Sequence, residues 1–246
     1  MKLIDLPTKD LVKLLVVGPP GSGKTILAAG FPYPIKYLDF DNKVSSAARY
    51  YQDDKERLAN IDVVNLSAAL QDNPMTELMK VINEFVSYQR ASKYPYKTLV
   101  LDSITTFSSV VLQGIMKSNP GINRVKTSQG EHPGLQDYGI LKREFQKLIP
   151  GLLTLDINVV MTGHVEISKD DTTGELIYGV QMDGSFAQQL PIYFEEVYVA
   201  RVEEQKGERR YLLQTQSDAK FKCRSQIPKL PAVIPASYNE IIKQRP

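Results

Sequence analysis

Lys24 and Thr25 have the most direct chemical assignment in this chain. They close the run Lys13-Leu-Leu-Val-Val-Gly-Pro-Pro-Gly-Ser-Gly-Lys-Thr25, an apolar stretch, then a glycine-rich turn, then a lysine and a hydroxyl opening a helix-forming segment. Gly, four free positions and Gly-Lys-Thr form the pattern of a phosphate-binding loop. Gly18, Gly21 and Gly23 permit backbone angles closed to other residues. The segment Gly18, Pro19, Pro20, Gly21, Ser22, Gly23, Lys24, Thr25 and Ile26 can therefore wrap N–H groups around one polyphosphate, aided by the helix dipole. In such a loop Lys24 reaches the outer phosphates and Thr25 ligates Mg²⁺, so ATP with Mg²⁺ is the expected ligand pair. The alternative is a glycine-rich strand-to-helix turn that binds nothing.

Acidic residues supply the rest of such a site. Asp102 ends the apolar run Lys97-Thr-Leu-Val-Leu-Asp102, where nucleotide hydrolases keep the carboxylate that shares the metal with the loop hydroxyl. It could equally cap a helix starting at Ser103. Ser103 is not an acid, so a carboxylate that orients the attacking water must come from elsewhere. Asp39 and Asp41 lie two apart at the end of a strand and can point to one side; Asp41 is the first choice and Asp39 the second. His164 follows another buried strand, where it can touch a γ-phosphate and pass its presence to the next loop. Lys24, Asp41, Asp102 and His164 thus form the expected catalytic set. Lys220, Lys222 and Arg224 alternate along a β-like stretch. They make either a solvated face or a set of cations that reaches a neighbouring subunit's triphosphate.

Alternating strands and helices must position these groups. Expected strands are Lys13–Val17, Ile35–Phe40, Ile61–Leu66, Lys97–Asp102 and Asp156–Thr162. The first is apolar after its lysine, as a parallel strand covered on both faces requires. Helices are expected after Ile26, over Met75–Arg90 with apolar residues at helical spacing, over Ser103–Met116 and over Leu135–Leu155. Pro150-Gly151 should kink or split the last of these. Asn42–Asp54 reads as a short helix and connector, and Lys117–Gly134 as a mobile loop. Beyond His164 the pattern changes to hairpins, one over 165–184 turning at Asp170–Gly174, the other pairing Phe194–Val202 with Arg210–Thr215. A proline-bearing tail follows, with a short helix near Tyr238–Lys243. These elements predict an α/β fold, a mostly parallel sheet flanked by helices with an antiparallel β-hairpin extension towards the C-terminus. One domain over 1–246 is expected, with a core of 12–164 and an extension of 165–246.

Composition sets limits. The chain has 246 residues, 42% of them hydrophobic, a formal charge of +2, two histidines and one cysteine, Cys223. That rules out an internal disulfide and the usual structural zinc sites. No apolar run suits a membrane span and no charged-then-apolar leader opens the sequence. A soluble protein of a reducing cytoplasm is expected, with no membrane partner.

Taken in order, GPPGSGKT, YLDFD, TLVLDS, VVMTGH and KFKCR resemble the RecA-like recombinase ATPases, and most closely the small phage-encoded RecA-like or AAA-domain ATPases that act with single-strand annealing functions. The resemblance covers about Val12 to Arg224. It implies a RecA-like P-loop core, DNA-stimulated ATP hydrolysis, a homo-oligomeric ring or filament and, for a phage protein, the bacterial host's cytoplasm. It also implies single-stranded DNA as a partner, with a single-stranded-DNA-binding protein as a further one. On that basis the loops 117–134 and 165–184 face DNA, with Arg124, Lys126 and Lys169 on phosphates and Tyr178 stacking on a base. Asp41 stands where that family commonly has glutamate, and His164 where recombinases often have glutamine. Two other classes stay open, a nucleotide-gated interaction module with little hydrolysis and a small-molecule kinase. The latter usually needs a lid arginine, for which Arg209-Arg210 is the only adjacent pair.

Overall fold

The computed structural model describes residues 11–67, 73–128, 130–169, 174 and 176–245. Its strands are β1 (Lys13–Val17), β2 (Ile35–Asp39), β3 (Ile61–Asn65), β4 (Thr98–Asp102), β5 (Lys126–Thr127), β6 (Gly130–Glu131), β7 (Asn158–Gly163), β8 (Val165–Lys169), β9 (Leu176–Val180), β10 (Glu196–Gln205), β11 (Glu208–Gln214) and β12 (Val233–Pro235). The helices are α1 (Lys24–Ala29), α2 (Ser45–Tyr50), α3 (Lys55–Ala59), α4 (Pro74–Ala91), α5 (Ile104–Ser118), α6 (Leu135–Leu153) and α7 (Tyr238–Ile242).

Among the described residues the main sheet runs β12-β11-β10-β1-β7-β4-β2-β3. Every pair from β10 to β3 is parallel, and β11 and β12 add antiparallel at one edge. This is the mostly parallel sheet with an antiparallel extension expected from the sequence. β7 lies between the strand that leads into the phosphate loop and the strand that ends in Asp102, so their C-terminal ends open into one crevice. β10 pairs parallel with β1, Leu14 opposite Glu196, so the second expected hairpin is an edge of the main sheet. β8 and β9 form the first hairpin as a separate two-stranded ribbon. Its expected turn residues, Asp170 to Thr173, lie outside the described residues.

Side chains on both faces of the central strands are buried, as their apolar runs require. Leu15 and Val17 pack with Phe107, Leu141 and Phe145 of α5 and α6. Leu14 and Val16 pack on the opposite face with Leu27 and Ala28 of α1 and Ile241 of α7. α6 runs through Pro150-Gly151 to Leu153 without splitting. The proline falls in its last turn, where the lost N–H costs one bond and few residues remain to be displaced. The 117–134 segment departs from the expected loop in having structure of its own. β5 and β6 pair within it, and Arg124 donates two bonds to Asp137 of α6 at 2.9 and 2.8 Å. No helix among the described residues is long and apolar enough to cross a membrane.

The end of α1 is fastened from α3. The Arg57 guanidinium donates to the carbonyls of Ala29 and Phe31 at 3.0 and 2.9 Å, and lies 5.2 and 5.0 Å from the ring centres of Tyr33 and Tyr51. A cation there meets the negative end of the helix. Arg57→Ala is expected to lower unfolding stability by about 2 kcal/mol, the scale of charge-assisted hydrogen bonds lost from half-buried carbonyls. Denaturant titration of the variant measures it, and an unchanged midpoint would refute the role.

Candidate functional site

The phosphate loop spans the step from β1 to α1, and two physical constraints account for its glycines. Gly23 has φ 86° at the N-terminus of α1, a left-handed angle that disfavours any side chain. Gly18 is required for space, since a Cβ there would lie 2.5 Å from the Ala200 carbonyl oxygen. Its amide donates to Gly163 at 3.1 Å, which ties the loop to β7. Gly18 is buried behind the loop, and neither it nor the exposed Pro19 lines the cleft. Pro20, Gly21, Ser22, Gly23, Lys24, Thr25 and Ile26 line it, in a cavity of about 450 Å³.

Lys24 is folded over this loop. Its Nζ donates to the carbonyls of Gly18 and Pro19 at 2.8 and 2.9 Å and approaches Ser22 Oγ at 3.4 Å. Burial lowers its pKa to about 8, against the opposing pull of Asp102 and Asp41, and Lys43 lowers it further. An ammonium held this way has no anionic partner in contact among the described residues and gains from one that enters the cleft.

Asp102 faces the loop from the end of β4, almost fully buried. Its Oδ2 accepts from Thr25 Oγ1 at 2.7 Å and from the Tyr37 hydroxyl at 2.6 Å, and its Oδ1 accepts from Thr162 Oγ1. Burial, then the Asp102 charge, holds the Tyr37 phenol protonated, so it donates to Asp102. Thr25 and Asp102 form the adjacent hydroxyl and carboxylate that a hydrated Mg²⁺ takes in phosphate-loop enzymes, and this pair fits the ion. Among the described residues there is no cluster of three His, Cys, Asp or Glu that could hold a metal. Water and the phosphates themselves would complete the coordination.

Asp41 and Asp39 part company in the structure. Asp39 is fully buried and turned away, its two oxygens accepting the amides of Lys43 and Val44 at 3.2 and 3.0 Å. Asp41 lines the cleft. Burial would raise its pKa, but hydrogen bonds from His164, Thr106 and Ser103 overcome this and lower it to about 2. His164 Nε2 lies 3.6 Å from Asp41 Oδ2, and His164 lines the same cleft. The His164 amide donates to Thr105 Oγ1 at 3.0 Å, and its carbonyl accepts from Gln181 at the base of the β8–β9 ribbon at 2.9 Å.

The remaining expected residues fall elsewhere. Arg124 is buried against Asp137 and cannot meet a phosphate as placed, because its partner thirteen residues on already takes the guanidinium. Lys126 is exposed and paired with Glu131 at 3.1 Å, and Lys169 is exposed on β8. The Tyr178 ring packs 4.7 Å from Phe221. Lys220, Lys222 and Arg224 are exposed between half-buried Phe221 and Cys223, so the alternation holds. The segment is not a regular strand, since it meets its neighbours through isolated bridges only. None of the three lines the chain's own cleft. Residues that the motifs did not indicate also line it: Lys43, Ser45, Ser46 and Arg49 from the turn after β2 and from α2, and Tyr211 from β11, whose ring lies across Gly23. Only long-range pairing brings Tyr211 there, which no local pattern encodes.

A model of the AAA domain family matches residues 11–226. A KaiC-like protein from the hyperthermophilic archaeon Pyrococcus horikoshii OT3 aligns with a TM-score of 0.44 at 14% identity, over 87% of this chain and 82% of that one. A search among curated proteins finds no match.

The lowered proton affinity of Lys24 has a measurable consequence. A triphosphate selects the ammonium form, which the free protein loses above about pH 8. ATP affinity should be flat near pH 7 and fall above pH 8, by about tenfold per unit at most, with proton uptake on binding. Calorimetry in buffers of different ionisation heat checks this. Lys24→Ala should bind weakly and without that pH dependence.

Proposed function

We propose, because the chain belongs to the AAA domain family, that it binds ATP with Mg²⁺ in this cleft, hydrolyses it, and uses the nucleotide state to control single-stranded DNA binding in recombination or annealing. One observation carries the nucleotide half: Thr25 of the loop helix and Asp102 of β4 meet at 2.7 Å beside Lys24. Mg²⁺, when bound, supplies neutralisation of charge on the outer phosphates. The amides of Gly21 and Gly23, which have no backbone partner among the described residues, fit the inner phosphates.

Asp41 acts in this reading as an orienting acceptor. With a pKa near 2 it is a poor proton sink, but an ionised carboxylate fixed by Thr106 holds a water in line for phosphoryl transfer. Such transfer relies mainly on positioning and charge. His164, beside Asp41 and continuous with the β8–β9 ribbon, is the residue through which the loss of a phosphate would reach the ribbon.

The DNA half rests on the exposed Lys169 of that ribbon and on Lys126. Lys220 and Lys222, exposed and clear of the chain's own cleft, are the cations placed to serve a neighbouring copy in a homo-oligomer, whereas Arg224 donates to the Ile192 carbonyl at 3.2 Å. A second reading has its own support. Ile167 and Leu176 on the ribbon are 59% and 53% exposed, which suits a protein partner docked under nucleotide control better than it suits DNA alone.

Turnover with and without a single-stranded oligonucleotide separates the two. The first reading expects stimulation that weakens steeply with salt and is reduced in Lys169→Glu. Equal turnover with and without DNA, and no DNA binding at low salt, would remove the DNA half and favour the protein partner.

A further inference from the structure

Lys43 sits in a turn that contacts from two different strands hold in shape. β2 stops at Asp39, and that buried carboxylate accepts the amides of Lys43 and Val44. Between them Asn42 takes φ 55°, and its Oδ1 accepts from Asn65 Nδ2 at the end of β3 at 2.9 Å. A left-handed asparagine pinned from the next strand fixes the turn. It brings Asp41 and Lys43, two residues apart, to the same cleft.

The charge there is unbalanced. Lys24, Lys43 and Arg49 line the cleft against Asp41 and Asp102, three cations to two carboxylates. Among the described residues the side chains of Lys43 and Arg49 form no ion pair. Like charges gathered in one cleft are unfavourable in the free protein and favourable once an anion arrives. Asp102 cannot serve as that anion, because its oxygens already accept from Thr25, Tyr37 and Thr162. The site is built to gain negative charge.

We propose that Lys43 is a second phosphate-contacting cation, supplied by the same chain, that meets the terminal phosphoryl group of the bound nucleoside triphosphate. The inference rests on the reading of the cleft as an ATP site. The terminal group is the one indicated because Lys43 shares its turn with Asp41, the residue at the His164 end of the cleft, whereas the loop amides serve the inner phosphates. Arg49, in the last turn of α2, is not needed for this contact. One consequence concerns oligomers. A cation within the chain lessens the dependence of turnover on Lys220, Lys222 and Arg224 of a neighbouring copy.

Equilibrium binding of a slowly hydrolysed ATP analogue and of ADP, each with Mg²⁺, tests it on the wild type, Lys43→Ala and Lys43→Arg. Lys43 is exposed and bears no packing, so folding is not at stake. The alanine variant should lose about tenfold in affinity for the triphosphate and keep its affinity for ADP, as expected for one charge-assisted contact to the lost phosphate. Arginine should restore most of the difference. Unchanged triphosphate affinity in Lys43→Ala, or an equal loss for both nucleotides, overturns the inference while leaving the ATP site intact. A wild type that binds neither nucleotide overturns the ATP reading and this inference together.

Discussion

The buried carboxylate of Asp102 is the constraint on which the rest of the site depends. It stands at the end of β4, with β7 on one side and β2 on the other, and it accepts hydroxyls from both neighbours, Thr162 and Tyr37. The third hydroxyl comes from Thr25 at the start of α1. Three strands and the loop helix are thereby fixed to one charged group that burial would otherwise make costly. The same bonds leave the carboxylate beside the loop hydroxyl, where a hydrated cation finds two oxygen ligands of the right kind.

A second set of hydroxyls carries the arrangement outward along α5. Thr106 donates to Asp41, Thr105 accepts the His164 amide, and Ser108 and Ser109 donate to Asp183, just past the β8–β9 ribbon. The first turns of one helix thus touch the cleft carboxylate Asp41, the residue beside it and the base of the ribbon. These direct contacts are the route by which a shift of Asp41 or His164 would reach the ribbon under the proposed nucleotide control.

Much of this was legible in the sequence, for identifiable reasons. Central strands announce themselves as short apolar runs because both faces are covered, and the loop motif fixes its own strand and helix. Asp41 and Asp39 do not share a side, because the same-side rule applies only while the strand lasts, and it ends at Asp39. Arg124 read as a loop cation because Asp137, which takes its charge, belongs to the following helix. β10 joining β1 in parallel depends on a pairing across most of the chain, and so does the placing of Tyr211 at the loop. Lys43 was silent in the sequence because its significance lies in a turn set by Asp39 and Asn65, two residues on different strands.

The central claim is that Thr25 and Asp102 together hold the magnesium of a bound nucleotide. Calorimetric titration of ATP into the wild type and into Asp102→Ala, each with Mg²⁺ and with chelator, tests it most directly. The account predicts that Mg²⁺ strengthens binding to the wild type and that this gain disappears in the variant. No binding heat from the wild type, or the same Mg²⁺ gain in both proteins, would contradict it.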